Sequence, residues 1–103
     1  DNAAYVDSLG WLHFRVGRHE QALKELLRAE ALLKEVEPDD AEIFDHIAQS
    51  YDRLGQREKA EEYWRRVLDL KPADEKLVQR VKKSLGLEKP EPPKDEPPAK
   101  EKK

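Results

Sequence analysis

Cysteine and methionine are both missing from the 103 residues. Without cysteine the chain has no disulfide framework, no thiolate nucleophile and no thiolate metal site. Neither a signal-like apolar stretch nor a membrane-length one is present, which disfavours a spanning segment. Charge of one sign is not in excess either. Twenty Lys and Arg face 23 Asp and Glu, for a formal net charge of −3, and nucleic-acid readers usually need a basic face. The apolar fraction is low at 37% while charged residues make up 42%, so the chain reads as one small folded part plus a tail. Lacking an initiator methionine, Asp1 is expected to be a cut point inside a longer protein. Zero cysteine fits the cytoplasm and the periplasm equally, so the compartment stays unassigned.

Residues 88–103 carry Pro90, Pro92, Pro93, Pro97 and Pro98, with Ala99 as the one apolar residue besides proline. Proline removes backbone donors and forbids helix, and such a segment buries too little apolar surface to offset its ordering entropy. It is expected to be a disordered tail or linker. The alternative is a ligand for a proline-binding groove, through Pro90-Glu91-Pro92-Pro93 or Pro93 to Pro97.

Ahead of the tail the sequence repeats at an offset of 38. Asp1, Ala3, Asp7, Arg15, Gly17, Glu20, Ala22 and Arg28 recur as Asp39, Ala41, Asp45, Arg53, Gly55, Glu58, Ala60 and Arg66. Conservative matches fill in between, among them Val6 with Phe44 and Leu26 with Trp64. A fixed period of this size marks a repeat architecture. Each unit reads as two antiparallel helices. Ile43, Phe44, Ile47, Tyr51 and Leu54 share one helical face, Gly55 stops that helix, and a second helix runs from Arg57 to Leu70, ended by Lys71-Pro72. The first unit predicts a helix from about Ala3 to Val16, a stop at Gly17, and a second helix from Glu20 to about Val36. Four inserted residues, close to one 3.6-residue turn, are expected to lengthen that second helix and to extend its apolar face through Leu32, Leu33 and Val36. A fifth helix, about Asp74 to Leu85, would turn Leu77, Val78, Val81 and Leu85 inward and Lys76, Gln79, Arg80, Lys82 and Lys83 to water, as a polar cap does.

The order Leu-Gly, Tyr, Ala, aromatic, Pro over two helices resembles the tetratricopeptide repeat. The first unit carries it in Leu9-Gly10, His13, Gly17, Ala22, Leu26 and Ala29. The second carries it in Phe44, Ile47-Ala48, Tyr51, Gly55, Ala60, Trp64, Val67 and Pro72. The stretch Asp7-Ser8-Leu9-Gly10-Trp11 looks most like bacterial members, and the resemblance spans about Asn2 to Leu85. It implies an all-α fold: an α-solenoid of two helix-turn-helix units (residues 1–38 and 39–72), a capping helix (73–87) and the tail (88–103). The small residues Gly10, Ala48, Ala22 and Ala60 then mark close helix crossings. Two repeats are few for such an array, and the first helix is unusually apolar, with Trp11, Leu12 and Phe14 where the second unit has Gln49, Ser50 and Asp52. One face of it is expected to meet an upstream repeat or another copy, which allows a homo-oligomer of the chain and suits the C-terminal end of a longer array.

In this family the first helices of successive repeats line a concave peptide groove. The resemblance places Asp7, Trp11, Phe14 and Arg15 there from the first unit, beside Ala4 and Ser8, and Asp45, His46, Gln49, Asp52 and Arg53 from the second, beside Glu42. Trp11 and Phe14 lie three apart and share a face, as a hot-spot anchor or as packing between the two helices. Some members clamp a terminal carboxylate with Lys, Asn and Arg; Ala4, Asp7, Trp11, Glu42 and His46 stand at those places, so no such clamp carries over. The groove reads as acidic with Arg15 and Arg53 on one edge, which favours a basic or apolar peptide. His13, His19 and His46 are scattered, so no metal or other cofactor is expected. No oxyanion-hole pattern or orienting acid accompanies Ser8 and His46. The expected function is a non-catalytic scaffold with a protein or peptide partner, no nucleic acid and no membrane insertion. The alternatives are a self-associating structural module and an accessory domain of a larger protein.

Overall fold

The computed structural model describes residues 2–87, and the expectations for the proline-rich tail lie outside them. Five α-helices follow one another: α1 (Ala3–Arg15), α2 (His19–Ala31), α3 (Ala41–Arg53), α4 (Arg57–Leu70) and α5 (Glu75–Ser84), with a single 3₁₀ turn, Pro38–Asp40, ahead of α3. There is no strand among the described residues, and none of their helices is long and apolar enough to cross a membrane.

Local chemistry sets the helix ends. The Asn2 side chain accepts the backbone N–H groups of Ala4 and Tyr5 at 2.7 and 3.2 Å, and Asp74 does the same for Lys76 and Leu77 at 3.0 and 3.3 Å. Each satisfies donors that the first helical turn leaves unpaired. At the other end α1 and α3 close identically. Gly17 and Gly55 take φ of 88° and 81°, which lets Arg18 N–H reach His13 O at 2.9 Å and Gln56 N–H reach Tyr51 O at 2.9 Å. This wrap needs the left-handed conformation that glycine adopts without a Cβ penalty.

The second helix of the first unit departs from expectation. Instead of running to Val36, α2 ends at Ala31. Leu32 and Leu33 tighten the last turn by bonding Ala29 O and Glu30 O at 3.1 and 3.0 Å. Pro38 then opens the 3₁₀ turn and holds Glu37 extended at φ −109°, ψ 160°, because proline excludes helix from the residue before it. Asp40 accepts the Glu37 N–H at 2.8 Å and fixes this bend. The four extra residues therefore lengthen the connection. Leu32 and Leu33 still pack on the core while Val36 stays exposed.

The helices stack in chain order: α1 on α2, α2 on α3, α3 on α4 and α4 on α5. One continuous core runs between the layers through Val6, Leu26, Phe44, Ile47, Trp64, Val67, Leu77 and Val81. At the α1–α2 crossing Gly10 is buried; a Cβ there would stand 2.8 Å from Leu26 Cγ and 3.2 Å from Ala22 O. That close approach explains the small residue.

Candidate functional site: the face shared by α1 and α3

The face shared by the two first helices is held by an aromatic column. His46 of α3 and Asp7 of α1 meet at 2.8 Å between Nδ1 and Oδ1. A carboxylate only accepts, so Nδ1 carries the hydrogen. The Trp11 indole lies face to face on the His46 ring, with centroids 3.9 Å apart and planes 13° apart. Its other face meets Phe14 at 4.4 Å and 11°. The Arg53 guanidinium covers the Phe14 ring at 5.2 Å, and His19 meets that ring edge-on at 4.8 Å. Stacked rings and a cation over a ring each add to the area they bury. Trp11 and Phe14 therefore serve first as packing between α1 and α3. Phe14 and His46 are buried and Trp11 is half-buried.

Asp45 sits differently from the expected groove residue. It is 1% exposed, and its carboxylate accepts from Trp64 Nε1 at 3.0 Å, Gln49 Nε2 at 2.9 Å and Arg80 Nη2 at 2.5 Å. A buried charge needs this many donors to offset lost hydration. Asp45 stands 38 residues after Asp7, and the two share one device: each repeat's aspartate bonds a basic side chain from the next helix of its layer, His46 on α3 for Asp7 and Arg80 on α5 for Asp45. Arg80, expected to face only water, instead ties the cap to the array. The recurrence of Asp7 as Asp45 was the signal in the sequence; the identity of each partner was not.

With both aspartates engaged, the face is less acidic than the residue types imply. Asp52 pairs with Arg57 at 3.1 Å, and Gln49 is committed to Asp45. Arg57 also bonds Glu61 at 3.1 Å and the Ser84 carbonyl and lies over Trp64 at 5.2 Å. The hydrogen bond to Asp52 is the main reason its guanidinium holds its proton above the ordinary arginine range. Ser8 and Arg15 remain exposed on α1, and Glu42 and Arg53 on α3. No group of three or more potential metal ligands occurs among the described residues.

Two helical hairpins in series, joined layer to layer through a repeated aspartate, define an α-solenoid repeat protein. The chain belongs to the tetratricopeptide repeat family, whose model matches residues 2–73. That span takes in both hairpins and stops before α5. Such repeats are generally protein–protein interaction modules, and the family is typically a non-catalytic scaffold. Comparison with curated proteins and with solved structures returned no match.

Proposed function

We propose that the chain is a non-catalytic interaction module that receives a peptide or protein segment along the face formed by α1 and α3. One observation carries this reading. The Trp11 indole is clamped between His46 and Phe14 but only half-buried, and its N–H makes no hydrogen bond to another described residue, in contrast to that of Trp64. A rigid aromatic edge with a free donor is a preorganised anchor, and tryptophan is enriched among interface hot spots. Helical spacing sets Ser8 and Arg15 on the same side of α1 as Trp11. The partner is then a segment that lays an apolar side chain against the indole edge and offers a carbonyl to its N–H.

The test uses peptides selected from a random display library on the immobilised chain and titrated into the ¹⁵N-labelled protein. The chain has two tryptophans, so two indole N–H signals report separately. Binding is expected to move the Trp11 indole signal and to weaken with Arg15→Glu. Peptides that move Trp64 and α5 while leaving Trp11 in place would refute the assignment.

A further inference from the structure

Tyr5, Leu9, Leu12 and Val16 recur every three or four residues along α1 and share one side of the helix. Tyr5, Leu12 and Val16 are 68%, 61% and 70% exposed, and Leu9 is half-buried. Thirty-eight residues on, the same register holds Ile43, Ile47 and Ser50 on α3 and Leu54 at its C-terminal cap. There Ile43 is 6% exposed and Ile47 and Ser50 are fully buried. The difference is a helix: α3 has α2 packed in front of it, and Leu54 shares a depression with Leu23 and Leu27 of α2. Nothing among the described residues covers α1 in that way. Its stripe is an interface-type surface in open solvent, a feature that usually marks an association site.

From this surface we infer that α1 pairs with α1 of a second copy of the chain, in a closed two-fold dimer. Three observations select that occupant. Outside the stripe, the exposed large apolar side chains of the described residues are Val36 and Leu87, on separate segments. The depressions lined by Leu23, Leu27 and Leu54 and by Val36, Phe44 and Leu70 are formed mostly of buried or half-buried side chains, so the described residues offer no second exposed apolar row to receive the stripe head-to-tail. The opposite end of the array, α5, exposes Lys76, Gln79 and Lys83, and a head-to-tail contact would bury the stripe against amines. The stripe itself holds no charged residue; of the Asp, Glu, Lys and Arg types α1 has only Asp7 and Arg15, and Asp7 is turned to His46. A two-fold axis across α1 therefore brings apolar groups onto apolar groups with no like charges opposed, since an isologous contact sets a patch against itself. The helices run antiparallel, with Tyr5 near Val16 of the partner subunit and Leu9 beside Leu12 of the partner subunit. One helix face falls at the small end of interface sizes, so the dimer is reversible. This inference does not rest on the Trp11 reading, because the stripe lies on the other side of α1.

Sedimentation equilibrium from about 1 µM to 1 mM, a span matching weak association, tests it on wild-type chain, Leu12→Glu, Leu12→Ser and Val36→Glu. Leu12→Ser introduces the residue type found at the equivalent position 50, and circular dichroism reports whether each variant is folded. The expected result is a rise in mass from monomer to dimer and no further. That rise should be lost in Leu12→Glu, shifted at least tenfold in concentration by Leu12→Ser, and unchanged in Val36→Glu. A wild type that stays monomeric throughout overturns the inference. So does a mass that climbs past two copies, or a dimer that both Leu12 variants leave intact.

Discussion

The indole N–H of Trp64 on α4 donates to the buried carboxylate of Asp45 on α3 across 3.0 Å. Around that bond Gln49 and Arg80 complete the acceptor sites, so three helices converge on one charge. Asp45→Ala strands a buried indole donor and releases Arg80. Urea unfolding is expected to show a loss of about 2–4 kcal/mol. Arg80→Ala, whose side chain is half exposed and which leaves the other two donors in place, should cost only about 1 kcal/mol. Equal losses would show that the carboxylate depends on Arg80 alone.

Gly10→Ala sets helix propensity against packing. Alanine is favoured over glycine inside a helix by about 1 kcal/mol, but here the new methyl meets Leu26 and the Ala22 carbonyl inside ordinary contact distance. Leu26 is fully buried and has little room to move. Overpacking of about 1–3 kcal/mol then wins, and the thermal midpoint should fall by several degrees, at about 4–8 °C per kcal/mol for a domain of this size. A raised midpoint would mean that the α1–α2 crossing relaxes freely.

Trp11 separates packing from recognition. Trp11→Ala removes both stacks of the column and should destabilise by about 2–3 kcal/mol, below the cost of a fully buried tryptophan because the ring is half-buried. Trp11→Phe keeps a ring between His46 and Phe14 while removing the free N–H. It should cost under about 1.5 kcal/mol yet weaken selected peptides several-fold. Retained affinity in the folded Trp11→Phe protein would remove the N–H from the anchor.

Tyr63 gives the fold an alkaline limit. Burial first, and then the hydrogen bond from its hydroxyl to Glu30 at 2.8 Å, hold its phenol well above the ordinary value near 10. The raised value belongs to the folded state, so the native chain keeps a proton that the unfolded chain releases. The stability this supplies is complete below pH about 10 and declines as pH rises beyond it, by up to about 1.4 kcal/mol per pH unit. Denaturation curves at successive alkaline pH should show that decline in wild type and a shallower one in Tyr63→Phe. Parallel curves would rule out Tyr63 as the source.

Much of the helical plan was legible because it rests on local rules. Helix α4 begins and ends where the pattern from Arg57 to Leu70 places it, and Gly17 and Gly55 mark stops that backbone geometry alone demands. The end of α2 was not legible. Leu32, Leu33 and Val36 continue a helical spacing, yet Pro38 and the Glu37–Asp40 bend take that length for the connection. The candidate face was half readable. Helical spacing grouped Trp11 with Phe14, but whether those rings meet a ligand or one another depends on where α3 lies.

By itself, then, the sequence determined the helices, the 38-residue repetition and the family, since propensity, capping and periodicity act within a few residues or recur along the chain. Only the tertiary structure decided that Asp45 is a buried lock, that Arg80 belongs to it, that the Trp11 ring is clamped on both faces, and that one side of α1 is left uncovered by the described residues while its counterpart on α3 is covered. Beyond the local Trp11–Phe14 and Asp45–Gln49 contacts, the decisive pairs Asp45–Trp64, Asp45–Arg80, Trp11–His46 and Asp7–His46 lie 19 to 39 positions apart. Burial and charge neutralisation at such distances are properties of the packed layers, which no local pattern carries.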